Sequence, residues 1–160
     1  MVKNLLFGTV FVLAGASAAL ADSKVGDWTI SRNAEIKDQC VAVRNYVDGE
    51  HANLNSSVIL SLLRDKIIIG LAYQAWKFDK GDRELAFLSV DDHEPIEKLN
   101  WTATVPQSLT AVTNKTDALT LALAMAEKLS IKFADGAVAE FKVPRAGEVM
   151  AALKTCVETK

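Results

Sequence analysis

Residues 56–76 read SSVILSLLRDKIIIGLAYQAW, and they restrict what the whole chain can fold into. Two apolar runs, residues 58–63 and 67–73, flank the charged break Arg64-Asp65-Lys66. The second run is rich in β-branched residues, which fit a pleated, half-buried surface. Two such runs around a short polar turn predict a β-hairpin. That hairpin is too apolar to stand alone in water, so other strands must cover it. Gly70, inside the second run, predicts a bulge or a close backbone approach.

The covering strands are legible on both sides. Trp28 and Ile30 alternate with polar neighbours and predict a first strand. Residues 40–47 predict a second, ended by Asp48-Gly49, and residues 83–90 another, with Leu85 and Phe87 on one face. In residues 99–105 the odd positions are apolar and the even ones polar, as one buried face requires. Residues 108–112 give a weaker strand. Residues 130–134 and 137–143 flank Asp135-Gly136, the signature of a two-residue type I′ hairpin. In residues 117–129 Leu119, Leu121 and Leu123 alternate like a strand before a run of helix formers, which predicts an extended entry and a short helix near 122–129. A C-terminal helix near 146–157 places Val149, Leu153 and Cys156 on one stripe. About eight short strands with two late helices predict a mainly β fold, an antiparallel sandwich or partly closed barrel.

The first 21 residues are not read as part of that fold. A short positive start at Lys3, an apolar run over residues 5–15 and Ala19-Leu20-Ala21 predict a signal peptide cleaved after Ala21. An uncleaved N-terminal anchor is the alternative. The run is shorter than the roughly 20 residues a membrane span needs, and no later stretch is long enough to span. Residues 22–160 then form one domain, long enough for a real core, in the periplasm or beyond the cell. The sequence carries 18 Lys and Arg against 20 Asp and Glu, a net charge of −2. A mildly acidic chain without a basic cluster in its sequence argues against nucleic acid.

Cys40 and Cys156 are the two cysteines, and both follow the leader. An oxidising destination and an even count predict one disulfide between them. The alternative is two buried free thiols.

The chemistry-bearing residues point away from catalysis. His93 stands in Asp91-Asp92-His93-Glu94, and neighbours in sequence rarely converge on one ion without a second ligand cluster. The other histidine, His51, lies in a polar loop beside Glu50. The spacing misses the alternating acidic ligands of a calcium loop. There is no G-x-S-x-G elbow and no glycine-rich phosphate loop, so no metal, cofactor or nucleophile is expected. Core packing is the ordinary role for Trp28, Trp76 and Trp101. Trp76 also heads Trp76-Lys77-Phe78, an aromatic and cationic group of the kind that anchors partners when exposed.

The leader, Asp27-Trp28-Thr29-Ile30 and then Cys40 opening a strand resemble the start of the invasion-associated locus B proteins, small exported proteins of α-proteobacteria. The later order of elements is also similar: Leu and Ala alternation, a short helix, a hairpin at Asp-Gly, then a helix. The chain departs from that family in having no cysteine pair between residues 90 and 120 and in carrying Cys156. The resemblance implies a periplasmic or surface β-domain linked to invasion or envelope stress, and it implies no catalytic residues. The expectation is a non-enzymatic exported domain that binds a protein or another envelope component. The alternatives are an inhibitor of a hydrolase such as lysozyme or a protease, acting through loops 50–55 or 91–97, and a carrier of a small apolar ligand.

Overall fold

The computed structural model describes residues 22–47, 53–93 and 95–159. The predicted leader, with its cleavage site after Ala21, lies outside the described residues, as do Glu50, His51 and Glu94. Ten antiparallel strands form one sheet. They are β1 (Ser23–Val25), β2 (Trp28–Arg32), β3 (Cys40–Val47), β4 (Asn55–Leu62), β5 (Lys66–Tyr73), β6 (Arg83–Val90), β7 (Glu97–Val105), β8 (Ser108–Asn114), β9 (Lys128–Lys132) and β10 (Val138–Lys142). Helix α1 (Asp117–Met125) precedes β9, and helix α2 (Ala146–Glu158) follows β10.

The spatial order is β1-β2-β3-β4-β5-β8-β7-β6-β9-β10. The β4–β5 hairpin is the sheet's centre, with Leu60 opposite Ile69 and Val58 opposite Leu71. Its tight end is closed by the Leu63 N–H donating to the Lys66 carbonyl. Alternation then sorts each strand. Ile67, Ile69 and Leu71 face inward with Leu109 and Ala111 of β8, Trp101 of β7, Leu88 of β6 and Ile131 of β9. Burying each Leu or Ile contributes about 1.5–3 kcal/mol, so this face dominates stability. Gly70 lies on the outward face in unbroken register, where an added Cβ would meet Ile59 Cβ at 3.1 Å. It marks a close approach, and the bulge sits instead between Ala103 and Val105.

Four expectations need correction. The sheet has ten strands where about eight were predicted. The strand missed outright, β1, is too short to show alternation and is recruited by pairing Val25 with Trp28. Second, the fold is neither two packed sheets nor a laddered barrel. One continuous sheet curls until its ends approach without pairing. Across the seam Arg44 Nη1 donates to the Lys142 carbonyl at 3.2 Å, and Trp28 Nε1 donates to the Pro144 carbonyl at 2.9 Å. Helix α2 packs on β2, β3 and β4 beside that seam, and its Leu153 and Val149 are fully buried.

Third, α1 is helical from Asp117 and stops before the predicted end at 129. The Thr116 hydroxyl accepts from the Leu119 N–H at 3.2 Å, satisfying one of the free donors of the first turn. The Leu alternation misled because only Leu119 and Leu123, four residues apart, are buried, while Leu121 faces solvent. The β9–β10 hairpin also uses a longer connection than a type I′ turn. Only Gly136 has positive φ, at 90°, and the Phe133 N–H donates to the Ala137 carbonyl, leaving a three-residue loop.

Candidate functional site

Cys40 and Cys156 are joined, with Cα atoms 6.1 Å apart and a sequence separation of 116. Cys40 is fully buried at the start of β3, and Cys156 lies half-buried in the last turn of α2. Arg32 reaches the same turn and donates to the carbonyls of Cys156 and Thr159, which have no partners within the helix. Two clefts flank this pole. One, of about 320 Å³, is lined by Ile30, Arg32, Ala152, Thr155 and Cys156 among others. The other, of about 190 Å³, is more polar and holds Arg64, Lys115, Lys154, Asp38 and Glu158. Arg64 and Asp38 stand 3.5 Å apart.

Trp76 and Phe78 lie in the β5–β6 connection, at the opposite end of the curled sheet. Trp76 is half-buried and makes edge contacts with Tyr73, Phe78, Phe133 and Phe141, at ring-centroid distances of 5.5–6.1 Å. The Phe78 N–H donates to the Pro106 carbonyl, tying the loop to the β7–β8 turn. Lys77 is the exposed member of the three. Trp28 and Trp101 are fully buried, as core packing requires.

His93 is exposed beside two carboxylates with structural roles. Asp91, at φ 53°, accepts the N–H groups of Glu127 and Lys128 at 2.9 Å each. Asp92 and Glu140 both bind the Lys128 ammonium, at 3.0 and 2.9 Å. Those two contacts, Glu140 first, push the Lys128 pKa well above its ordinary value. Among the described residues no group of three or more His, Cys, Asp and Glu side chains could hold a metal ion.

The outward face of the sheet carries a feature that no single strand shows. Lys66 of β5 lies opposite Asn114 of β8, and its ammonium donates to the Asn114 amide oxygen at 2.5 Å. The β7–β8 register pairs Trp101 with Ala111; continued along the strands, it brings Lys98 level with Asn114. Lys98 is opposite Phe87 of β6, with its ammonium 5.4 Å from the ring centroid. Phe87 is opposite Lys132 of β9, and Lys132 is opposite Val138 of β10. The result is one row across six strands: Lys66, Asn114, Lys98, Phe87, Lys132, Val138. Unlike Lys128, none of its three lysines pairs with a carboxylate among the described residues. Beside the row stand Leu85 and Val112, 45% and 60% exposed, and within it Phe87 and Val138, 39% and 55% exposed.

Sequence reasoning did not find this row. Lys66, Lys98 and Lys132 are far apart in the chain, and each occupies an ordinary polar position of an alternating strand. The usable signal was the pairing order, which no local pattern states.

Fold and surface together define a disulfide-closed, all-antiparallel β-domain with two helices, two clefts around its C-terminal helix and a basic, partly apolar outer face. No protein-family model matches the chain, and no curated protein matches it in sequence. Among solved structures it is similar to the crystal structure of invasion associated protein B from Bartonella henselae, with 16% identity and a TM-score of 0.49 over 84% of this chain and 99% of that one. That likeness assigns no residue a role. Among the described residues no helix is long and apolar enough to cross a membrane.

Proposed function

We propose that this chain is a non-enzymatic, exported binding domain that engages another macromolecule through the outward face of β5, β8, β7, β6, β9 and β10. The observation that carries the reading is the exposure of Leu85, Phe87, Val112 and Val138 on one sheet face, interleaved with Lys66, Lys98 and Lys132, which pair with no carboxylate among the described residues. Large apolar side chains held exposed on one face among cations give a partner both apolar contact and charge. The leader predicted from the sequence and the Cys40–Cys156 bridge support export into an oxidising compartment. The packed interior also fits: Trp28, Trp101 and Phe141 fill the inside with apolar side chains, leaving recognition to the outside.

A photo-reactive side chain placed at Val112 tests the reading. In envelope extract it is expected to cross-link a partner, and Phe87→Ser on the same face is expected to suppress that cross-link. The same probe at Leu121, equally exposed on α1, is the control. Cross-linking from Leu121 alone would overturn the assignment to this face.

The 320 Å³ cleft beside Cys156 favours a second reading, a site for a small amphipathic ligand. Its apolar members are Ile30 and Ala152, and the hydroxyls of Ser31 and Thr155 are the polar groups at hand. Displacement of an environment-sensitive dye by small amphiphiles, abolished by Ala152→Trp, is the outcome this reading requires.

A further inference from the structure

We propose that the occupant of the outer face is a linear acidic polysaccharide carrying one anionic group per disaccharide, laid along the row Lys66–Lys98–Lys132. This inference rests on the outer-face reading above and names the partner class for it.

The argument is geometric. Lys66 and Lys98 lie on β5 and β7, with β8 between them, and Lys98 and Lys132 lie on β7 and β9, with β6 between them. Neighbouring strands are about 4.8 Å apart, so the backbone positions that carry the lysines recur at about 10 Å. Two pyranose units of an extended chain cover a similar length. A polymer with one carboxylate or sulfate per disaccharide therefore presents its charges in step with the lysines. Other polyanions fall out of step. Carboxylates on one side of an extended peptide recur at about 7 Å, twice the rise per residue. Nucleic acid phosphates are spaced more closely still, and sequence-tolerant binding of single strands uses a series of stacking aromatics. This row holds a single aromatic ring.

The side chains between the cations suit a sugar. Phe87 stands between Lys98 and Lys132, 39% exposed, and adds apolar surface for the C–H groups of a pyranose beside the Lys98 ammonium over its ring. Asn114, Asn100 and Thr102 on the same outward face offer hydrogen-bonding groups to hydroxyls. The charge balance agrees. The chain has net charge −2, yet these three ammonium groups lack carboxylate partners among the described residues, whereas the nearby Lys128 is held by two. A local cationic strip on an acidic protein attracts an anion to that strip and not to the surface at large.

The test uses the purified oxidised protein and a hyaluronan octasaccharide, which carries one carboxylate per disaccharide, followed by calorimetry. Binding is expected, weakening as salt rises because exposed charges are screened. Lys98→Ser/Lys132→Ser is expected to lower affinity by at least about fivefold, the loss of two exposed charge contacts. Lys115→Ser/Lys154→Ser, beside α2, is expected to leave it unchanged. The far-UV spectrum and intact disulfide of each variant show that it is folded. Equal binding by the row variant, or no binding by the wild-type protein, would overturn the inference. Tighter binding of phosphatidylglycerol vesicles or of an oligothymidylate through the same lysines would also overturn it, while leaving the outer-face reading standing. Loss of the Val112 cross-link as well would take that reading down too.

Discussion

Removing the Cys40–Cys156 bridge is expected to cost more stability than any single surface change in this protein. The bridge closes a loop of 116 residues. The loop-entropy relation gives about 4.8 kcal/mol for a loop of that size at 25 °C, an upper value because the reduced chain retains some structure. Unfolding a domain of this length carries an entropy of about 0.3 kcal/mol per kelvin, so the melting temperature is expected to fall by roughly 10–16 °C. The double variant Cys40→Ala/Cys156→Ala isolates the effect, with melting followed by far-UV circular dichroism in the absence of reductant. The loss should appear first in the last turn of α2, which the bridge and Arg32 together hold to β2 and β3. Amide exchange resolved along α2 would show that order. A fall below about 3 °C would refute the reasoning, because Leu153 and Val149 would then be holding the helix without the bridge.

Three further outcomes follow from the geometry. Trp28 and Trp101 are both fully buried; Trp28 donates its indole N–H to the Pro144 carbonyl, while Trp101 Nε1 has no partner among the described residues. Trp28→Phe is therefore expected to be more destabilising than Trp101→Phe by about 1 kcal/mol or more in urea titrations, and the reverse order would contradict the seam described for β2 and β10. Asp91→Ala removes two hydrogen bonds to backbone N–H groups and forces alanine to φ 53°, for an expected loss of about 2–3 kcal/mol, whereas Asp91→Asn keeps an acceptor and tolerates that conformation. Equal losses for the two would count against the role assigned to the carboxylate. Glu148 is held below the usual carboxylate range by its hydrogen bonds to Arg145. A depressed folded-state pKa gives stability that is present above the unfolded-state value, about 4.3, and is lost as pH falls through the folded-state value. Glu148→Gln is thus expected to flatten the acid limb of the stability profile, and an unchanged limb would be the contrary result.

Much of the fold could be read from local pattern. The β4–β5 hairpin announced itself as two apolar runs around a polar break, β3 and β7 because one buried face forces alternation, and α2 because Val149 and Leu153 share a stripe. β6 was found through Leu85 and Phe87, but those face outward, and Ala86, Leu88 and Val90 fill the core. The entry to α1 was misread where two periods overlap: Leu119, Leu121 and Leu123 satisfy a strand, and the Thr116 cap that decides for helix is a single residue. β1 was invisible because three residues carry no period. The closure of the sheet was also hidden, since it depends on Arg44 and Trp28 reaching carbonyls about a hundred residues away. The Cys40–Cys156 link was legible from compartment and count. The three lysines of the outer row were not, because cross-strand register, and not spacing along the chain, brings them into line.

The most direct measurement is lysine acetylation read by mass spectrometry, residue by residue, with and without saturating hyaluronan octasaccharide. The account requires slowed modification at Lys66, Lys98 and Lys132, with Lys128, Lys115 and Lys154 unchanged. Protection concentrated at Lys115 and Lys154 would move the working surface to the clefts beside α2 and contradict the assignment of function to the outer face of the sheet.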